Sequence, residues 1–200
     1  GAVYASVGTK DWFLDGSVIY GSSEIDQDLG DVFDTTADYD AMNLAFYLGG
    51  GKEIASEYMI ITPQASLLAN YYDQDAYEET STDAVTRSVD GFDALYVQSS
   101  LGCSLGFYMG MGEFTLKPEL RAHWLHEFNA KEEDLPYRLV GGNGSAYNMI
   151  LQAPEEDILK LGAGISAKMS EHLEIRFDLD TQQASDYSDY TAAGSIRYQF

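Results

Sequence analysis

Along residues 93–111, Leu95, Val97, Leu101, Cys103, Leu105, Phe107, Met109 and Met111 share one parity, while Gln98, Ser100, Gly102, Ser104, Gly106 and Gly110 share the other. A period of two sends successive side chains to opposite faces, so the stretch predicts a β-strand with one bulky apolar face and one small polar face. A water-soluble sheet turns its bulky face inward and carries charge on the other. Gly and Ser on the second face predict the inverse, with apolar side chains outside and a narrow polar interior. The next segment repeats the scheme with charge: Phe114, Leu116, Pro118, Leu120, Ala122, Trp124 and Phe128 oppose Lys117, Glu119, Arg121, His123 and Glu127. Further on, Leu159, Leu161, Ala163, Ile165 and Ala167 oppose Lys160, Ser166 and Lys168, and Leu173, Ile175, Phe177 and Leu179 oppose Glu174, Arg176, Asp178 and Asp180. Basic and acidic residues on neighbouring strands attract across the sheet. Together they predict a polar, lumen-facing wall.

Period-two reading along the whole chain gives about nine strand-length segments, at 2–8, 12–21, 40–50, 58–72, 93–110, 114–128, 158–169, 173–180 and 191–200. Most approach the roughly ten residues that cross a bilayer at a tilt. In the last, Ala192, Gly194, Ile196, Tyr198 and Phe200 alternate with Ala193, Ser195, Arg197 and Gln199. Ending on the strand itself suits a sheet that closes on itself in an outer membrane. The connections alternate in length: 181–190, 129–157, 73–92 and 22–39 are long, whereas 170–172, 111–113, 51–57 and 9–11 are short. Outer-membrane barrels have short periplasmic turns and long outer loops, which places the C-terminus at the periplasmic side. Much of the acid excess, Glu24, Asp26, Asp28, Asp31 and Asp34 or Asp73, Asp75, Glu78 and Glu79, then falls outside. A closed barrel of this kind needs an even strand count. An odd count means that strands lie upstream of Gly1, or that one is merged or undetected. Pro63 and Pro118 fall inside segments and predict a bulge or a register defect, because proline has no ladder donor.

No run of about 18 apolar residues is present to make a spanning helix. The mean hydropathy of −0.23 is compatible with a barrel, because only alternate residues of each strand meet lipid. Fifteen Tyr, nine Phe and two Trp supply interfacial girdles. A net charge of −22 argues against nucleic-acid binding and against a polybasic contact with anionic lipid. The acidic loops read as a solubilising surface. Cys103 is single and in apolar register, so it reads as a small lipid-facing residue. The chain opens without a charged n-region and h-region, so an export signal is expected upstream and removed.

Candidate chemistry is weak. His123, His126 and Glu127 lie in HWLHE, but a histidine spacing of three on a strand points the two rings to opposite faces. DQDLGD and DQDAYEE lack the calcium loop with its terminal Glu and read as solvated loops. No nucleophile elbow, P-loop or dinucleotide fingerprint occurs. Asp178 and Asp180 share a face as an acid–base pair would, yet the nearby Lys160 and Lys168 favour a charge-balanced wall. The triplet Asn143–Ser145 is a glycosylation acceptor only in a host that reads it. The expectation is no catalysis, no metal and no cofactor.

In order along the chain, WFLDGSVIYG, ITPQASLLANYY with a following YEE, SSLGCSLG, LKPELRAHWLHEF, LKLGAGISAKMSEHLEIRFDLD and GSIRYQF resemble the C-terminal translocator domain of autotransporters, the type V secretion barrels of Gram-negative bacteria. The resemblance covers nearly the whole chain. It implies an all-β, antiparallel up-and-down transmembrane barrel, twelve-stranded in the family and threaded by an N-terminal helix. Residues 1–200 then form one outer-membrane barrel domain lacking its first strands and the threading helix. The implied function is to anchor a passenger domain, carried in cis, and help it reach the cell surface. The implied partners are outer-membrane lipid and the barrel-assembly machinery, with Gly194, Ile196, Tyr198 and Phe200 resembling the family's terminal assembly signal. A stand-alone barrel whose acidic loops act as adhesin or receptor is the alternative.

Overall fold

Neighbouring segments with matching alternation pair in chain order in the computed structural model, which describes residues 1–28, 34–82, 85–112, 114–142, 144–170 and 172–198, without the side chain of Met111. Its strands are β1 (Ala2–Gly8), β2 (Trp12–Asp28), β3 (Thr35–Lys52), β4 (Ile54–Ala55), β5 (Met59–Gln74), β6 (Tyr77–Glu78), β7 (Thr80–Ser81) and β8 (Arg87–Val89). They continue with β9 (Phe92–Phe107), β10 (Met109–Met111), β11 (Phe114–Glu127), β12 (Glu133–Leu139), β13 (Ala146–Leu151), β14 (Asp157–Lys168), β15 (Leu173–Gln183) and β16 (Ser188–Tyr198). Nine long strands form one curled antiparallel sheet in the order β1-β2-β3-β5-β9-β11-β14-β15-β16, and no helix occurs among the described residues. Among the described residues β1 pairs with β2 alone and β16 with β15 alone, so the sheet is open.

The packing is inverted relative to a soluble sheet. Leu101, Leu161 and Phe177 are 52%, 41% and 48% exposed, and the few buried apolar residues, such as Ala37, Ile60, Ala94 and Leu135, form no dry centre of large side chains. On β14 the apolar parity is exposed, whereas Lys160, Gly162, Gly164 and Ser166 are partly or fully covered. The polar parity therefore faces the sheltered side of the curl.

Two departures from the pattern have physical causes. First, β2 and β3 run well past the segments read from alternation, with Glu24 opposite Asp40 and Asp26 opposite Asp38. Beyond the apolar band the alternation is lost from the sequence although one face of β3 stays covered: Thr35, Ala37 and Ala41 are buried, and the covered residues are small or polar, so the hydropathy period vanishes while backbone pairing persists. Second, the long connections at 73–92 and 129–157 are not merely solvated loops. Four of their strands form a separate sheet, β13-β12-β8-β6, while β7 pairs with β3 of the main sheet. Tyr137 stacks on Tyr147 at 5.6 Å, and Tyr77 of this sheet stacks on Tyr39 of β3 at 4.6 Å.

An ion pair fastens this small sheet. Glu79, its side chain 3% exposed, accepts from Arg87 Nε at 2.9 and 3.0 Å, from the Arg87 backbone N–H at 2.9 Å and from Nη2. Hydrogen bonding from the Arg87 guanidinium, outweighing burial, holds the Glu79 carboxyl below the ordinary carboxylate range. A depressed folded-state pKa contributes stability above the unfolded value, about 4.3, and that contribution is lost as pH falls through the folded value. Protease nicking within 73–92 is therefore expected to rise as pH drops below about 4, and Glu79→Gln should raise it already at pH near 7. Equal nicking of wild type and variant at neutral pH would refute the fastening.

The prolines act differently from a bulge or a register slip. Gly51 pairs with Gln64 and Ile54 with Ile61, so the register between β3 or β4 and β5 is the same on either side of a short gap at Pro63. Glu119 pairs with Gly106 and Leu116 with Met109, again one register across a gap at Pro118. On their other sides Pro63 pairs with Cys103 and Pro118 with Ile165 without interruption. In an antiparallel ladder a residue's N–H faces only one neighbour, so a missing donor opens one side and leaves the other intact. The partner strands stay in place through their other sides, where Glu53 N–H donates to Asp11 O at 2.7 Å and Tyr108 N–H to Tyr58 O at 2.9 Å, continuing the ladders with β2 and β5.

Candidate functional site

The sheltered polar face is the candidate site, and strand register builds it row by row. Arg121 on β11 lies opposite Gly162 on β14, which lies opposite Asp180 on β15. One step along, Glu119, Gly164 and Asp178 are aligned in the same way. Arg121 spans the intervening strand to reach Asp178 at 2.8 Å and Asp180 at 3.2 Å, while also pairing with Glu119 at 2.9 Å. Arg176 closes the ring from β15, to Asp178 at 2.7 Å and Glu119 at 3.2 Å, and Lys117 stands 3.7 Å from Glu119. Three cations thus meet three carboxylates.

Glycine makes that reach possible. A Cβ on Gly162 would overlap the Asp180 carboxylate and meet Arg121 Nε at 2.9 Å, and one on Gly164 would overlap Asp178 and meet Arg121 Nη1 at 3.1 Å. Gly106 leaves the same clearance for Lys117, and Gly102 for the His123 ring. The small residues that read in the sequence as the lining of a narrow interior are the spaces through which long side chains cross a strand. Register alone identifies them, so the Gly-x-Gly of β14 was visible in the sequence while its purpose was not.

The remaining predicted residues are less connected. His123 sits 3.5 Å from Ser100 Oγ, beside a cavity of about 130 Å³ bounded by Phe13, Tyr47 and Gln64. Phe13 and Tyr47 escaped sequence reasoning because aromatic residues on the polar parity break its rule; their signal is Gly49 and Gly51, where an added Cβ would strike the Tyr47 and Phe13 rings. Lys160 lies opposite His123 and Lys168 opposite Thr115, and neither joins the ring of ions. Glu174 approaches Arg197 at 3.8 Å near the far end of β15. Glu127 is buried and accepts the backbone N–H of Val97 at 2.7 Å and of Asn129 at 3.3 Å, closing the end of β11. His126 lies on the opposite parity from His123, with its ring between Trp124 and Phe128. On β16, Gly194, Ile196 and Tyr198 pair with Phe177, Ile175 and Leu173, and Ile196 and Tyr198 are exposed. Phe200, Asp31 and Asn143 lie outside the described residues.

An antiparallel sheet with a greasy exposed face and an ion-braced, glycine-cleared inner face defines the wall of an outer-membrane type of β-barrel. The chain belongs to the autotransporter beta-domain family, which matches residues 1–180. Autotransporter beta-domains are outer-membrane barrels of type V secretion, a family of transport domains and not of known enzymes. The fold is similar to the translocator domain of the autotransporter NalP from Neisseria meningitidis, at 14% identity and a TM-score of 0.64, covering 100% of this chain and 65% of that one. It is also similar to the transport unit of the autotransporter AIDA-I from Escherichia coli, at 15% identity and a TM-score of 0.53, covering 94% of this chain and 67% of that one. The chain thus spans about two thirds of either relative. No curated protein sequence matches it at a significant level.

Proposed function

We propose that the chain is the greater part of an outer-membrane translocator that anchors an N-terminal passenger domain and helps export it to the cell surface. The observation that carries this reading is the self-neutralised inner wall. Arg121, Arg176 and Lys117 are matched to Glu119, Asp178 and Asp180 on the wall itself. Such a wall keeps its own fixed charges occupied, so a segment threading the lumen meets little net electrostatic grip. In this reading Lys160, Lys168, Glu174 and Glu127 also belong to the lumen side. The odd count of nine long strands among the described residues and the two open edges support further strands in the complete barrel, and the threading helix is what the family resemblance implies. The C-terminus lies at the periplasmic side, the short connections with it and the small sheet of β6, β8, β12 and β13 outside.

The partners are outer-membrane lipid along the apolar face, the barrel-assembly machinery and the passenger in cis. Gly194, Ile196, Tyr198 and Phe200 form the assembly signal. Phe200→Asp is expected to cut the heat-modifiable, membrane-inserted fraction in cells several-fold, and unchanged insertion would remove that role. For the function itself, the full-length protein is expressed in a Gram-negative host and intact cells are treated with protease. A passenger encoded ahead of the barrel and cleaved only at the surface is the expected result. A signal peptide joined directly to a complete barrel, with no passenger, would favour the stand-alone adhesin or receptor instead.

A further inference from the structure

We propose that His126, Glu156 and Asp157 form a site for a divalent cation of the zinc type at the long-connection end of β11 and β14. Sequence spacing excludes a site built from His123 and His126, but cross-strand register assembles a different set. His126 is directly opposite Asp157, and the two meet at 3.0 Å between Nδ1 and Oδ1. Glu156 is held beside them because its carbonyl accepts the Glu127 backbone N–H at 2.8 Å. One donor atom from each of the three side chains lies within 4.8 Å of the other two.

Three features make this more than a patch of surface acid. Among the described residues neither Glu156 nor Asp157 has a Lys or Arg within ion-pair distance, and the His126 imidazole beside the two carboxylates pairs with Asp157. The imidazole is also what distinguishes the set, because nitrogen with carboxylate oxygen suits zinc, whereas calcium and magnesium take oxygen alone. Finally, the ligands are supported from behind. Trp124 Nε1–H donates to Asp157 Oδ1 at 2.7 Å, and the His126 ring is flanked by Trp124 at 5.6 Å and by Phe128, edge to face, at 4.8 Å. Such supporting contacts orient ligands around a metal. Zinc bonds of about 2.0–2.2 Å put tetrahedral ligands about 3.4 Å apart, so modest movement of the exposed Glu156 side chain completes the set, with the fourth position left to water.

The test is a calorimetric titration of Zn²⁺ alone into the full-length protein purified in detergent, with Mg²⁺ in parallel. One saturable equivalent of Zn²⁺ is expected where Mg²⁺ gives none, with altered Trp emission because Trp124 touches Asp157. His126→Gln and Glu156→Gln, each first shown to keep heat-modifiable mobility, should weaken it at least 10-fold, while Glu24→Gln, in a remote acidic stretch, should not. Should His126→Gln fail to fold, Glu156→Gln and Asp157→Asn decide the question. Absence of a saturable equivalent, or binding equal in the wild type and the folded variants, would overturn the site.

Discussion

Arg121→Met is expected to destabilise the barrel by on the order of 3 kcal/mol, the lower end of what breaking a buried ion pair costs. Arg121 is 18% exposed and answers three carboxylates, Glu119, Asp178 and Asp180. Removing it leaves Arg176 and Lys117 to balance all three from one side, so the penalty is uncompensated charge more than lost attraction. Two companions separate charge from space. Asp180→Asn on the Arg121→Met background should restore part of the loss, since it removes one orphaned carboxylate, and the cycle measures the coupling. Gly162→Leu keeps every charge but fills the gap that Arg121 crosses, and should reproduce much of the defect. Urea unfolding followed by heat-modifiable mobility reads all of these. An Arg121→Met barrel within about 0.5 kcal/mol of wild type would show that water in the lumen screens the ring to insignificance.

Leu161→Arg is expected to cost about 2–4 kcal/mol, as for a cation placed on the lipid face near the bilayer midplane. Leu161 is 41% exposed and lies in the ladder between Ala122 and Thr181, in the middle of β14. Its neighbour Lys160 belongs to the other parity, so Lys160→Leu should change stability by less than about 1 kcal/mol. The contrast matters more than either value, because the two positions are adjacent and differ only in face. Fractionation of inserted from aggregated protein, then unfolding of the inserted fraction, measures it. Equal tolerance of both substitutions would mean that the exposed apolar face does not meet lipid.

The acidic connections show how far periodicity carries. Between residues 73 and 92 and between 129 and 157 the sequence is polar and aperiodic, yet four strands there make a second sheet. Their pairing is non-local, β12 with β8 and β6 with β8, and it depends on Tyr stacking and on the Glu79–Arg87 pair. No window of ten residues contains that information. The prolines make the same point at smaller scale. Proline announces a missing donor, but whether the chain bulges or simply skips a bond depends on how firmly the partner strand is held on its far side, as by Glu53 N–H to Asp11 O and Tyr108 N–H to Tyr58 O.

By itself the sequence determined the nine long strands, their faces and the inversion of the sheet, because a side-chain period of two is a local property and an apolar surrounding acts on each residue separately. It also determined which residues share the polar face. Only the tertiary structure decided which of them meet: that Arg121 crosses Gly162 to Asp180, that Glu127 closes a strand end, and that His126 joins Glu156 and Asp157 and not His123. Those choices follow from the register between strands distant in the chain, and register is set by the whole sheet together.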